Sequence, residues 1–128
     1  MEQIDYTTVE QSEELSQFLP KGSSNLAYIK YCTSDNLEWR FGGIPMVLGD
    51  VPIDEITTDT LPCWSSQALF DLLPKKIQEY KKLVNWSDNK WQCKYCNEDS
   101  GEMINVSSEN LIDVYITTLV LLNKMKLL

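Results

Sequence analysis

Residues 77 to 106 read IQEYKKLVNWSDNKWQCKYCNEDSGEMINV, and this stretch decides the fold class. Ile77 to Trp86, Lys90 to Cys96 and Glu102 to Val106 carry the aromatic and β-branched residues that fit a pleated, half-buried surface. Between them lie Ser87-Asp88-Asn89 and Asn97-Glu98-Asp99-Ser100-Gly101, residue types that favour turns. The three segments therefore read as an antiparallel meander. Successive strand side chains point to opposite faces, so Trp91, Cys93 and Tyr95 share one face, expected to be core, and Gln92, Lys94 and Cys96 share the other.

One helix is expected before the meander in the chain and one after it, both packed on one face of the sheet. In Pro62-Cys63-Trp64-Ser65-Ser66-Gln67-Ala68-Leu69-Phe70-Asp71-Leu72-Leu73-Pro74, Ser65 is placed as N-cap, with Trp64 before it and Leu69 one turn in as a hydrophobic staple. Pro74 disfavours α conformation at Leu73 and ends the helix. After the meander, Ser107 is the expected N-cap, Val106 and Leu111 the expected staple, and the helix runs to about Lys124. Its apolar residues, from Leu111 and Ile112 through Leu122 to Met125, leave only a narrow polar stripe at Asp113, Thr117 and Lys124. A helix this apolar is covered on more than one side, either by its own sheet and helices or by a second copy, giving a homodimer through the helix 108–124.

Toward the N-terminus, Thr8 and Gln11 have the spacing of a capping box. A short helix follows, with Leu15, Phe18 and Leu19 as its apolar side and Pro20 and Gly22 as its stop. Residues 26–32 and 37–41 read as a hairpin around Ser34-Asp35-Asn36. Gly42, Gly43, Pro45, Gly49 and Pro52 break up the region 42–62, which is expected to be irregular with at most a short strand at Met46 to Leu48. The sum is an α+β fold, residues 1–128 as a single domain. It has an antiparallel sheet of about four to five strands with two or three helices, the terminal apolar helix packed on the sheet and the N-terminal helix at an edge.

Nineteen acidic against eleven basic residues give a net charge of −8, which repels phosphate backbones and anionic headgroups, so nucleic acid and membranes are not expected partners. The charge is uneven. Residues 1–71 sum to −9, whereas residues 75–94 carry Lys75, Lys76, Lys81, Lys82, Lys90 and Lys94 against Glu79 and Asp88, a local +4. That segment is either a binding patch or the solvated side of a strand pair. The residues after Met1 have neither the basic start nor the apolar stretch of a secretory signal, and Leu111 to Leu122 is too short and polar to span a bilayer. A cytoplasmic protein with reduced cysteines is expected.

Enzyme chemistry is not expected. The chain has no histidine, hence no Ser-His or Cys-His pair and no mixed Cys/His zinc site, and its glycines form no phosphate-cradling loop. Cys93-Lys94-Tyr95-Cys96 is a single C-x-x-C. With Cys32 and Cys63 it offers four thiolates for zinc, or by itself a redox pair, against the simpler reading of Cys93 as a small core residue and Cys96 as incidental. Asp54 with Glu55, and Glu98 with Asp99 and Glu102, are paired carboxylates in predicted loops, where acids are ordinarily solvated. Trp39, Trp64, Trp86 and Trp91 either line a groove or fill the core. No cofactor is expected.

One resemblance bears on function. Gln11-Ser12-Glu13-Glu14-Leu15, then Leu61-Pro62-Cys63-Trp64-Ser65 with Ala68-Leu69 and Leu72-Leu73-Pro74, then Trp91-Gln92-Cys93-Lys94-Tyr95 and Glu109-Asn110-Leu111-Ile112-Asp113 follow one another in this order. The series resembles a group of small uncharacterised proteins encoded in phage, prophage and mobile-element regions of gut Bacteroides-type bacteria. The similarity spans nearly the whole chain, and the Pro-x-Trp-Ser segment is its most specific part. Asn123-Lys124-Met125-Lys126 departs from the Glu-Asn-Gly style of ending in that group. The resemblance implies a genomic setting but no activity, catalytic residue or cofactor.

Three readings of function follow. The first is a non-enzymatic accessory protein of phage or mobile-element type that acts through protein contacts. The second is an acidic, nucleic-acid-mimicking inhibitor of a host DNA-binding or defence protein, with Glu10, Glu13, Glu14, Asp50, Asp54, Glu55 and Asp59, together with Glu2 and Asp5, as its anionic face. The third is a small zinc protein using the cysteines.

Overall fold

The computed structural model describes residues 5–32, 39–41, 45–47, 60–99 and 101–128. The α+β class holds, and among the described residues the strands fall into two antiparallel sheets of four, each within its own compact unit, Asp5–Ala68 and Leu69–Leu128. The N-terminal unit has helix α1 (Val9–Leu15), a 3-10 turn at Lys21–Ser23, and strands β1 (Leu26–Cys32), β2 (Trp39–Phe41), β3 (Met46–Val47) and β4 (Thr60–Cys63). Helix α2 (Ser66–Leu72) starts at its end and runs into the C-terminal unit, which has β5 (Lys76–Ile77), β6 (Tyr80–Ser87), β7 (Lys90–Asn97), β8 (Gly101–Ser108) and α3 (Leu111–Lys124).

In the N-terminal unit all three other strands bond to β1. The expected hairpin is β1 with β2, in the register Lys30 to Phe41 and Cys32 to Trp39. The short strand at Met46 is also there. Residues 60–62, expected to be irregular, instead form β4 together with Cys63, with Ala27 opposite Pro62. Its residues alternate between half-buried and buried, and since β4 bonds only to β1 among the described strands, the missing N–H of Pro62 can fall where no ladder bond is needed.

Thr8 and Gln11 form the capping box, the Gln11 N–H donating to Thr8 Oγ1 at 3.2 Å and the Thr8 N–H to Gln11 Oε1 at 2.9 Å. This fixes the chain just before α1, where Thr7 is fully buried. Thr7 is the hub of the unit. Its Oγ1 meets Ser12 Oγ at 2.7 Å and accepts the Trp64 N–H at 3.2 Å, its N–H donates to the Trp64 carbonyl at 2.9 Å, and its own carbonyl accepts the Tyr28 hydroxyl at 2.6 Å. Tyr28, Leu61 and Cys63 form the core cluster, with Tyr6, Val9, Leu26 and Phe41 packed against it. Ser65 caps α2 as expected, its Oγ accepting the Ala68 N–H at 3.2 Å, and Asn25 holds Ser65 through bonds of 2.9 and 3.0 Å.

The C-terminal unit is the meander, in the order β5-β6-β7-β8. Asp88 and Asn89 have φ of 55° and 63°, the left-handed values of a type I′ two-residue turn whose twist matches that of the strands it joins. Cys93 and Tyr95 are fully buried and Trp91 partly so. Helix α3 packs on β7 and β8. It begins three residues later than expected from Ser107, because Ser107 and Ser108 stay in the ladder opposite Gln92 and Trp91. The cap passes to Asn110, whose Oδ1 accepts the Ile112 N–H at 2.9 Å. Asn110→Ala should therefore cost about 1 kcal/mol, read as a lowered urea midpoint, while Ser107→Ala, with no helix end to cap, should shift it far less.

Candidate interaction surface

Strand alternation sorts the lysines that look alike in sequence. Pairing of Lys76 with Lys81, Lys81 with Cys96, Leu83 with Lys94 and Ser87 with Lys90 puts Lys76, Lys81, Lys90 and Lys94 on one sheet face, away from Cys93 and Tyr95. Leu83 stands among them, 43 % exposed. Lys94 reaches Glu102 at 3.6 Å, and Glu102 also accepts the Asn105 amide at 3.1 Å.

Lys82 lies on the other face. Its ammonium donates to the carbonyls of Phe70 and Leu73, both at 3.1 Å, and sits 3.7 Å from the centre of the Phe70 ring. It thereby satisfies carbonyls at the C-terminal end of α2, where the helix dipole favours a cation. Loss of solvent pulls its pKa down, against the pull of Cys93 and Asp71 upward. Lys82 is thus a structural cation.

The three cysteines whose side chains are described are placed separately. Cys63 is buried in the N-terminal unit, Cys93 is buried in the C-terminal unit, and Cys96 lies half-buried on the opposite face of β7 from Cys93; the Cys32 side chain lies outside the described residues. Burial pushes the thiols of Cys63 and Cys93 up, although hydrogen bonds with Thr7 and with Thr118 respectively work the other way. Among the described residues no three Cys, Asp and Glu side chains are grouped to hold a metal ion. Cys96 opens into a shallow depression of about 490 Å³ together with Lys81, Leu83, Glu79 and Glu98, where opposite charges mix without a converging set of ligands.

Of the expected anionic face, Glu10, Glu13 and Glu14 are exposed on α1, at spacings that share one side of the helix. Asp50, Asp54, Glu55 and Asp59, like Glu2, lie outside the described residues. Of the tryptophans, Trp64 is fully buried in the N-terminal unit, Trp86 is 52 % exposed in the C-terminal unit and meets Trp91 edge-on at 5.3 Å between ring centres, and the Trp39 side chain is outside the described residues.

On α3, Ile112, Val114, Tyr115, Ile116, Leu119 and Leu122 are all buried within one copy, so its own chain already covers most of the helix. Thr117 and Lys124 are on the exposed stripe, as their spacing predicts. Leu121, Met125 and Leu128 are exposed beside them, at 36, 48 and 51 %. No helix among the described residues is long and apolar enough to cross a membrane. Sequence reasoning missed the last exposed surface, the outer edge of β8, to which no described strand bonds; only the strand order reveals it.

No protein family, curated protein or solved structure matches the chain.

Proposed function

We propose that this chain is a non-enzymatic accessory protein of phage or mobile-element type that acts through protein contacts and self-associates as a homodimer. The observation that carries the reading is the end of α3. Three of the six large apolar residues exposed among the described residues gather there, Leu121 on the last turn of α3, Met125 at its C-cap and Leu128 just past the helix, an apolar patch of the kind that binds protein. The sequence supports the non-enzymatic part, since it holds neither histidine nor a phosphate loop. The test is sedimentation velocity over a hundredfold range of concentration. The wild-type chain should dimerise, and Leu121→Glu with Met125→Glu should weaken the dimer at least about tenfold, because charge buried at an apolar contact is unpaired. A chain that stays monomeric throughout would end the self-association reading.

One observation favours a second reading, that of an acidic inhibitor occupying the basic groove of a nucleic-acid-binding protein: the exposed row Glu10, Glu13 and Glu14. A DNA-binding protein recovered with the tagged chain from bacterial lysate at low salt and released at high salt would support it. Recovery unchanged by replacing these three glutamates with glutamine would count against it.

A further inference from the structure

We infer that a second copy of the chain docks on the outer edge of β8, strand to strand and antiparallel, joining two meanders into one sheet across a two-fold axis at Asn105. The inference rests on the self-association reading and adds to the exposed end of α3 a second contact, on a strand that α3 packs against.

The hydrogen-bond phase of the meander shows what this edge offers. A two-residue turn makes Ser87 and Lys90 a hydrogen-bonded pair, so the even residues of β7 bond to β6 and Trp91, Cys93 and Tyr95 bond to β8. The Lys82 N–H, which donates toward β5 at the Lys75 carbonyl over 3.1 Å, fixes the same phase independently. On β8, Ser108, Val106 and Ile104 therefore turn their backbone groups toward β7, and Asn105 and Ser107 turn theirs outward.

Exposed strand edges normally carry proline, lysine or an inward charge that discourages pairing. Residues 101–108 hold no proline and no lysine, and their one charge, Glu102, is already engaged by Lys94. The bulge between Tyr95 and Cys96 disturbs the ladder only at the far end of the strand.

The sequence of this edge also suits its own copy. Antiparallel pairing centred on Asn105 sets Asn105 against Asn105, Ile104 against Val106 and Glu102 against Ser108, so amide meets amide, apolar meets apolar, and no like charges face each other. Such self-complementarity is what an isologous two-fold contact requires. A different acidic or basic partner strand would find no charge here to recognise.

The experiment uses the full chain in sedimentation velocity. Asn105→Lys and Asn105→Glu each put like charges opposite one another across the axis, and each should weaken the dimer at least about tenfold; mixing the two should restore a dimer. Ser107→Pro removes an outward N–H without touching a bond to β7 and should have the same effect. Far-UV circular dichroism at dilute concentration checks that each variant is folded, and if Ser107→Pro is not, the charge pair decides alone. A wild-type dimer that survives all three changes but is broken by Leu121→Glu with Met125→Glu overturns the β8 assignment and leaves self-association standing. A monomeric wild type overturns both.

Discussion

Trp64→Ala should destabilise the protein by about 3–5 kcal/mol, the range for emptying a fully buried aromatic site. Trp64 is 0 % exposed, its Nε1 donates to Ser23 Oγ at 3.0 Å, and its backbone is tied to Thr7 in both directions. The truncation therefore removes packing and leaves the Ser23 hydroxyl without its donor. Set against a typical total of about 5–15 kcal/mol, such a loss removes a large part of the stability and should lower the urea midpoint in proportion. Trp64→Phe keeps most of the volume and should recover more than half of the loss. Urea titration followed by circular dichroism measures both, and an alanine variant within 1 kcal/mol (about the error of such comparisons) of wild type would show that the site collapses freely.

The second large effect is alkaline. Burial raises the pKa of Cys63 and Tyr28 in the N-terminal unit and of Cys93 and Tyr95 in the C-terminal unit. A raised folded pKa means that the unfolded chain releases its proton first. Stability from these groups is complete below the unfolded values, about 8.5 for thiols and about 10 for phenols, and falls as pH rises beyond them by about 1.4 kcal/mol per unit per group. Lys82 acts in the opposite sense, since its pKa is lowered and the unfolded chain holds the extra proton near pH 10. One group cannot offset four. Stability should be flat to about pH 8 and fall between there and about pH 10, first through the two thiols. Urea midpoints at successive pH values test this, and Cys93→Ala should shallow the slope. A midpoint unchanged up to pH 10 would mean that these groups ionise in the folded protein as easily as in the unfolded chain.

What sequence reveals here is chemistry that acts over a few residues. The Thr8–Gln11 box, the Ser65 cap and the Asp88-Asn89 turn each close within four positions, and all form as their residue types predict. What escapes the sequence is decided by distant pairing. Pro62 argues against a strand until β1, more than thirty residues earlier, is seen to take β4 as a neighbour. Ser107, Ser108 and Asn110 are all good caps by type, and the ladder with β7 claims the first two. Lys81 and Lys82 belong to one basic run in sequence and to opposite faces in the sheet, one solvated and one bonded to the end of α2. Of the candidate site, the α3 stripe was legible from spacing, whereas the β8 edge depends on which strand comes last in the sheet.

The placement of the buried thiols has a practical consequence. Cys63 and Cys93 are 0 % exposed and lie in different units, while Cys96 is partly open to solvent. An alkylating reagent in excess can reach the first two only when their surroundings open, so each becomes a clock for its own half of the molecule. Labelling followed peptide by peptide will separate two cases: equal rates at Cys63 and Cys93 if the halves open together, and unequal rates if one breathes while the other stays shut.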